Sequence, residues 1–323
     1  LAAPGDALED ELPTAYLDSD LDAAPSPNGA APGPIQDAAL QQPLVRIECF
    51  GDFVVHRGSE QLGPYVEGRY AHKSWELLAY LASHPPQGVD VDRLIADLWP
   101  DASSSSRQPL NMAAHRARLL LAGKAGGEGA KAVRIDRQGL ARLDRSLVVS
   151  DVHSFLTLIA QANKGDWVEA KAALEKAVAL YRADLLSAPG VPTYPWVDQR
   201  GDNGLTLRET YHLEYMAAVK RLARLYREDG DAQLAVPLLR GLLQQEPLLE
   251  DVVRELYRCY EQLGDLGALL REDRRLRHAL YTAYYDPHNP DDDPGLYPPE
   301  AETVAAFEEV RRALDKMKEF DAG

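Results

Sequence analysis

Arg107-Gln108-Pro109-Leu110-Asn111-Met112-Ala113-Ala114-His115-Arg116-Ala117-Arg118-Leu119-Leu120-Leu121 runs into a glycine-rich break, then Ala132-Val133-Arg134-Ile135, Arg137-Gln138-Gly139 and Leu140-Ala141-Arg142-Leu143. Leu110, Ala113, Ala117 and Leu121 recur at helical spacing with Leu120 at the edge, which predicts a helix from Arg107 to about Leu121. Pro109 falls in its first turn, where no intrahelical donor is lost, and Ser103 to Ser106 offer caps. Gly123 and Gly126-Gly127 stop it. The two short apolar runs that follow, joined at Arg137-Gln138-Gly139, predict a two-stranded hairpin with basic residues at its tip and flanks.

Upstream, Val91, Leu94, Ile95 and Leu98 sit at i, i+3, i+4 and i+7 behind a capping Asp90, which predicts a second helix ending at Trp99-Pro100-Asp101. Trp75, Leu78, Ala79 and Ala82 mark a first helix that ends before His84-Pro85-Pro86. Before it, Val45, Ile47 and Cys49 alternate with Arg46, Glu48 and Phe50 as in a strand. Phe53-Val54-Val55 and Gln61-Leu62 supply two more strands after turns at Gly51-Asp52 and Arg57-Gly58-Ser59. Strands, three helices and a hairpin, in that order, predict a winged helix-turn-helix with an added N-terminal sheet over residues 44–150.

Downstream of Asp151 the pattern is helical to about residue 320. Gly165-Asp166, Gly230-Asp231 and Gly264-Asp265 punctuate helix pairs, the last two 34 residues apart, the period of tetratricopeptide repeats. Residues 190–203 interrupt the repeats as a structured loop, residues 286–299 form an acidic, proline-rich loop, and a helix over about Glu300 to Phe320 closes the chain. Tyr211 and Tyr215, like Tyr257, Tyr260, Tyr281, Tyr284 and Tyr285, read as repeat core. The fold class expected is mainly α with a small β component, a winged helix-turn-helix followed by tetratricopeptide-like repeats.

Net charge is −16, but it is unevenly spread. Residues 1–43 hold eight acidic side chains and no Lys or Arg, and their Ala, Pro and Gly content predicts a disordered acidic linker, or an interaction tail or DNA-mimicking autoinhibitor. Residues 44–150 hold fourteen Lys and Arg against twelve Asp and Glu, and residues 151–323 hold twenty-one against thirty-one. Only the middle block can face a polyanion without strong repulsion. Cys49 and Cys259 have no CxxC companion, which predicts a reducing, cytoplasmic setting and neither a disulfide nor a zinc site. No run of eighteen apolar residues predicts a membrane span. Leu1 stands where a start methionine would, with no signal-peptide pattern after it, so the expectation is an excised piece of a longer protein.

Several segments resemble the Streptomyces antibiotic regulatory protein (SARP) type of activator, which joins a winged helix to a bacterial transcriptional activator domain. They are Lys73 to Leu81 with His84-Pro85, Val91 to Asp101, Ala132-Val133-Arg134 with Leu143-Asp144, Asp151-Val152-His153-Ser154-Phe155, Leu180-Tyr181-Arg182-Ala183-Asp184-Leu185-Leu186, and Trp196-Val197. They span residues 44–303. The resemblance implies binding to direct repeats near promoters, often as side-by-side dimers, contacts to RNA polymerase, and a repeat domain that takes part in dimerisation or regulation.

Base readout then belongs to the third helix, whose size fits the major groove. Arg107, Asn111, His115 and Arg118 cluster within one quadrant of it and Arg116 lies to the flank, placed for a phosphate. Arginine pairs with guanine and asparagine with adenine, and no acidic residue occurs from Ala102 to Gly127. Arg134, Arg137 and Arg142 are the candidates for a wing on the backbone, and Lys73 and Arg69 for further phosphate contacts. Leu119-Leu120-Leu121 stands where family members often carry more arginine. With the overall acidity, it motivates an alternative, a protein-interaction module that kept the regulator fold. A partner on the concave repeat surface is expected in either case.

No catalytic constellation emerges, and no cofactor is expected. Gly123-Lys124 lacks the phosphate-loop spacing, the histidines form no HxxxH or HExxH pair, and Asp286 to Asp293 lacks the glycine and terminal glutamate of a calcium loop.

Overall fold

The computed structural model describes residues 44–63, 69–100, 107–123, 127–285 and 297–321, with side chains omitted at 69–71 and 319–321. The acidic segment 1–43, the serine caps at 103–106, the Arg69 side chain and most of the 286–299 loop lie outside the described residues.

Alternation in Val45–Glu48 (β1) and Val54–Arg57 (β2) buries Val45, Ile47 and Val55, and the two strands pair antiparallel with Ile47 opposite Val55. Glu60–Leu62 (β3) pairs with β2 as expected. A fourth member has no signature along the chain: Val148–Ser150, which returns from beyond the hairpin and lies parallel to β1, with Val45 opposite Val148. Three residues are too few to show a period.

Helix α1 (Arg69–Ser83) buries Ser74 to Ser83 on every side, because it is the central helix, with α3 (Gln108–Ala122) and α4 (Asp151–Lys164) packed on it. Helix α2 (Val91–Leu98) has its predicted cap, with Asp90 Oδ1 accepting from Asp92 N at 2.9 Å and Arg93 N at 3.0 Å, and it buries Val91, Leu94, Ile95 and Leu98. Helix α3 starts at an Arg107 cap that makes no side-chain capping bond, carries Pro109 in its first turn, and buries Leu110, Ala113, Ala114, Ala117 and Leu121. Gly123 ends it at φ +69°, a conformation that favours glycine. The wing is three-stranded rather than two-stranded: Val89–Asp90 (β4) lies beside Leu140–Leu143 (β6), which pairs with Val133–Ile135 (β5). Val148–Ser150 is β7.

Beyond β7 the described chain is helical apart from the loop over residues 181–206, which carries one 3-10 turn at Pro195–Val197. α4 pairs with α5 (Trp167–Leu180), α6 (Leu207–Glu228) with α7 (Ala232–Gln245), and α8 (Glu250–Gln262) with α9 (Leu266–Tyr284), and α10 (Ala301–Asp321) packs on α8. The Gly-Asp breaks fall between the paired helices, where Asp166 and Asp265 cap α5 and α9. Tyr257 and Tyr260 are repeat core, whereas Tyr284, at the end of α9, is exposed, with the Tyr297 ring centre 5.8 Å away.

The apolar core does not break at residue 150. One cluster runs from Ile47 and Phe50 through Tyr80 and Leu110 to Phe155, Tyr181, Trp196 and Tyr211, and a second fills α6 to α10. Side chains from beyond residue 150 also satisfy the carbonyls that end α1. Ser150 Oγ donates to Ala82 O at 2.8 Å, His153 Nε2 lies 3.1 Å from Leu81 O and 2.8 Å from His84 O, and Tyr211 donates to Ser83 O. The last turn of a helix leaves its carbonyls without intrahelical donors, and buried ones must find others. Both partners of His153 Nε2 are carbonyls, so that nitrogen carries the hydrogen. Asp151 does the same for the strand end, accepting from Cys49 N at 2.9 Å and Phe50 N at 3.0 Å. The stretch Tyr181 to Leu186 lies against Cys49 to Gly51, with Leu186 N donating to Cys49 O and Gly51 N to Asp184 O.

Candidate nucleic-acid interface

With one side of α3 fixed by its buried alanines and leucines, the rest faces outward. Arg107, Gln108, Asn111, Met112, His115 and Leu119 are exposed and Arg116 is half-buried. The helix carries no carboxylate, so its outer face is neutral to basic along its whole length. Two arginines hold it in place. Arg57, from β2, donates from Nη1 to Leu120 O at 3.0 Å and pairs with Glu60 at 2.6 Å, tying the N-terminal sheet to the end of α3. Arg118 donates from Nε to Val133 O at 2.8 Å, tying the wing to the middle of α3.

The expected reading residues therefore divide. Asn111 and His115 lie on the exposed face. Arg107 stands at the start of the helix, exposed, with Asp92 3.6 Å away and the wing glycine Gly139 beside its guanidinium. Arg118 sits at the edge of the buried side, half-buried, with its Nε spent on the wing. The outward face of α3 is centred on Gln108, Met112, His115 and Leu119, one edge farther from Arg118 than the helical wheel places it. Gln108 was missed, although a glutamine can pair with adenine as asparagine does. The signal was present in the helical spacing, where Gln108 and His115 are seven residues apart.

In the wing, Asp136 stabilises the turn by accepting from Gln138 N at 3.0 Å and Leu140 N at 2.9 Å, which leaves Arg137 exposed at the tip. Arg134 and Arg142 face each other across β5 and β6 and each has an acid: Arg134 pairs with Asp144, and Arg142 lies 3.8 Å from Asp136. Burial works to raise the Asp144 carboxyl. The Ser146 hydroxyl and amide and the Arg134 guanidinium outweigh it, so the group sits below the usual carboxylate range. The Arg134 and Arg142 side chains are 54% and 40% exposed; Asp144, at 10%, holds Arg134 firmly, whereas Arg142, 3.8 Å from Asp136, is the freer to meet a phosphate. Lys73 is committed inward: its Nζ donates to Leu98 O, pairs with Glu76 at 2.8 Å and lies 5.7 Å from the Trp99 ring centre, clamping the end of α2 to α1.

Among the described residues no group of three or more His, Cys, Asp or Glu side chains is placed to hold a metal, and no helix is long and apolar enough to cross a membrane. Both thiols are buried, which pushes Cys49 well up and Cys259 to about 11, the reverse of an activated nucleophile.

Residues 150–283 match the family model of the bacterial transcriptional activator domain. Among solved structures the chain is similar to Mycobacterium tuberculosis EmbR in complex with a low-affinity phosphopeptide. The TM-score is 0.59 at 19% identity, covering 87% of this chain and 70% of that one. No curated protein matches the chain. The resemblance in the sequence implied a bacterial transcriptional activator domain, and residues 150–283 are similar to that domain, while the fold of the chain is similar to that of the EmbR structure.

Proposed function

We propose that this chain is a cytoplasmic, sequence-specific DNA-binding regulator of transcription. Residues 44–150 read the duplex, and the helical domain over 151–320 presents the regulator to its partners. One observation carries the reading. The outward face of α3 presents Arg107, Gln108, Asn111 and His115 without a carboxylate, on a helix braced by Arg57 on one side and Arg118 on the other. Asn111 and Gln108 are suited to adenine edges and Arg107 to guanine. Arg116 and the wing residues Arg137, Arg134 and Arg142 are suited to phosphates. Phosphate contacts set affinity, and base contacts set sequence.

As the resemblance implies, the sites are direct repeats near promoters, occupied by side-by-side copies that contact RNA polymerase in activating transcription. A second reading has its own support: Met112 and Leu119, 38% and 56% exposed, put apolar surface on the same face as His115. That pattern suits a protein groove better than a duplex.

The test is selection of bound fragments from genomic DNA by the whole chain at low salt, followed by titration of the best fragment against salt. A steep loss of affinity with salt, and a preferred sequence altered by Asn111→Ala, are expected. No retained fragment at low salt would rule the DNA reading out in favour of the protein-interaction one.

A further inference from the structure

Arg271, Arg274, Arg275 and His278 occur on α9 at i, i+3, i+4 and i+7, so they form one stripe, and all four are exposed. The two carboxylates of this helix are buried. Glu272 accepts from the Tyr260 hydroxyl at 3.2 Å and from Arg275 at 3.2 Å and lies 3.5 Å from Arg240, and Asp273 accepts from Arg277 at 2.8 Å. On α7 the only charged side chain is Arg240. The two helices thus expose arginine and no carboxylate, within a segment, 151–323, where acids outnumber bases by thirty-one to twenty-one. A basic strip on an acidic body attracts an anionic partner to one place.

Of the strip, Arg275 reaches the rim of a groove of about 370 Å³ between α7 and α9, lined by Arg240, Leu243, Val253, Glu272, Leu276 and Ala279. Two guanidinium groups share the one Glu272 carboxylate, so the rim keeps a net positive charge. Arg275 is 61% exposed, so it can turn to a second anion while Arg240 stays beside Glu272. From Arg271 to His278 the strip is about 10 Å long, the reach of about three extended residues.

We propose that this groove binds an acidic segment of a partner protein, with an aliphatic side chain between Leu243 and Leu276 and carboxylates on Arg271, Arg274 and Arg275. The apolar wall decides for a peptide over a nucleic acid, whose backbone has no aliphatic group to bury there. The surface lies on elements separate from α3 and the wing, so it stands or falls apart from the DNA reading.

The test is fluorescence anisotropy on the whole chain with a short fluorescein-labelled peptide of glutamates around two central leucines. Saturable binding is expected, weakened at least tenfold by the combined Arg271→Gln, Arg274→Gln and Arg275→Gln changes while the thermal midpoint holds. Serine in place of the leucines should weaken it comparably. Leu243→Ser serves as an independent arm on the groove wall, read only alongside its own melting curve. Equal binding by the triple variant, or equal binding of the serine peptide, overturns the proposal. A surface that retains random duplex DNA through these arginines, and ignores the peptide, overturns it in favour of nucleic acid.

Discussion

The phenolic oxygen of Tyr211 donates to the backbone carbonyl of Ser83 at 2.6 Å, across 128 residues of chain. Tyr211 belongs to α6 and Ser83 to the last turn of α1, so the helical domain supplies a cap to the central helix of the winged module. With Ser150 and His153 on the neighbouring carbonyls, the last three carbonyls of α1, Leu81 to Ser83, are held by side chains from residue 150 onward. Helix α3 packs on α1, so whatever sets α1 also sets the proposed reading face.

Tyr211→Phe keeps the ring in the core and removes only the donor, leaving the Ser83 carbonyl buried without its side-chain partner. The expected cost is about 1–3 kcal/mol. Because the core is continuous across residue 150, tryptophan fluorescence and far-ultraviolet circular dichroism should report one urea transition with a lowered midpoint. Two separated transitions, or no change in midpoint, would contradict the continuity.

Acid should destabilise the junction. Burial holds the His84 imidazole down at about 4, against the Tyr80 carbonyl that accepts from its Nδ1 at 2.7 Å, and burial lowers His153 as well. The unfolded chain takes up protons near pH 6.5 and the folded chain does not, so stability falls as pH drops from about 6.5 toward 4. His84 alone accounts for about 2 kcal/mol by pH 5. Asp151 acts in the opposite sense, since burial raises its carboxyl. Urea midpoints at pH 7 and pH 5, in the parent and in His84→Asn, measure the difference; a slope unchanged by the substitution refutes the assignment.

Asp151→Ala removes the acceptor for the amides of Cys49 and Phe50 and leaves Arg182, 3.5 Å away, without this carboxylate. With Val152 N, which donates to Asp151 at 2.8 Å, three buried amides lose their partner at once, and a loss of about 2–5 kcal/mol is expected. Asp151→Asn retains one carbonyl oxygen and should cost less. Equal stability of the Ala variant by calorimetry would show that water replaces the carboxylate.

On the DNA proposal, Asn111→Ala and Arg118→Ala should differ in kind. Asn111 faces outward, so its loss should change preference at one base position by about 1–3 kcal/mol with folding unchanged. Arg118 braces Val133, so its loss should loosen the wing, lower stability by about 1 kcal/mol, and weaken binding evenly across sequences. Binding of a panel of single-base variants separates the two. An Arg118 variant that alters one position alone would return Arg118 to base reading.

Much of this was legible along the chain, for reasons that differ by element. The helices from α1 to α3 and the repeat pairs show because several turns of buried alanine and leucine impose a period. Asp90 shows as a cap because its partners are two and three residues away. β4 and β7 do not, since two and three residues carry no period and their partners are distant in sequence. The outward face of α3 is turned from the one a helical wheel expects because Ala114 is also buried, which moves the core toward Arg118.

The helices, the repeat period and the arginine-bearing third helix were set by local spacing and needed no coordinates. Tertiary structure alone decided which cations are spent inside the protein. Lys73, Arg57 and Arg118 became braces, while Arg107 and Arg137 stayed outward. The physical reason is that an arginine or lysine reaches several ångströms, and its fate depends on whether packing brings an unsatisfied carbonyl within that reach. Leu98, Leu120 and Val133 supply such carbonyls, and no window of sequence reveals them.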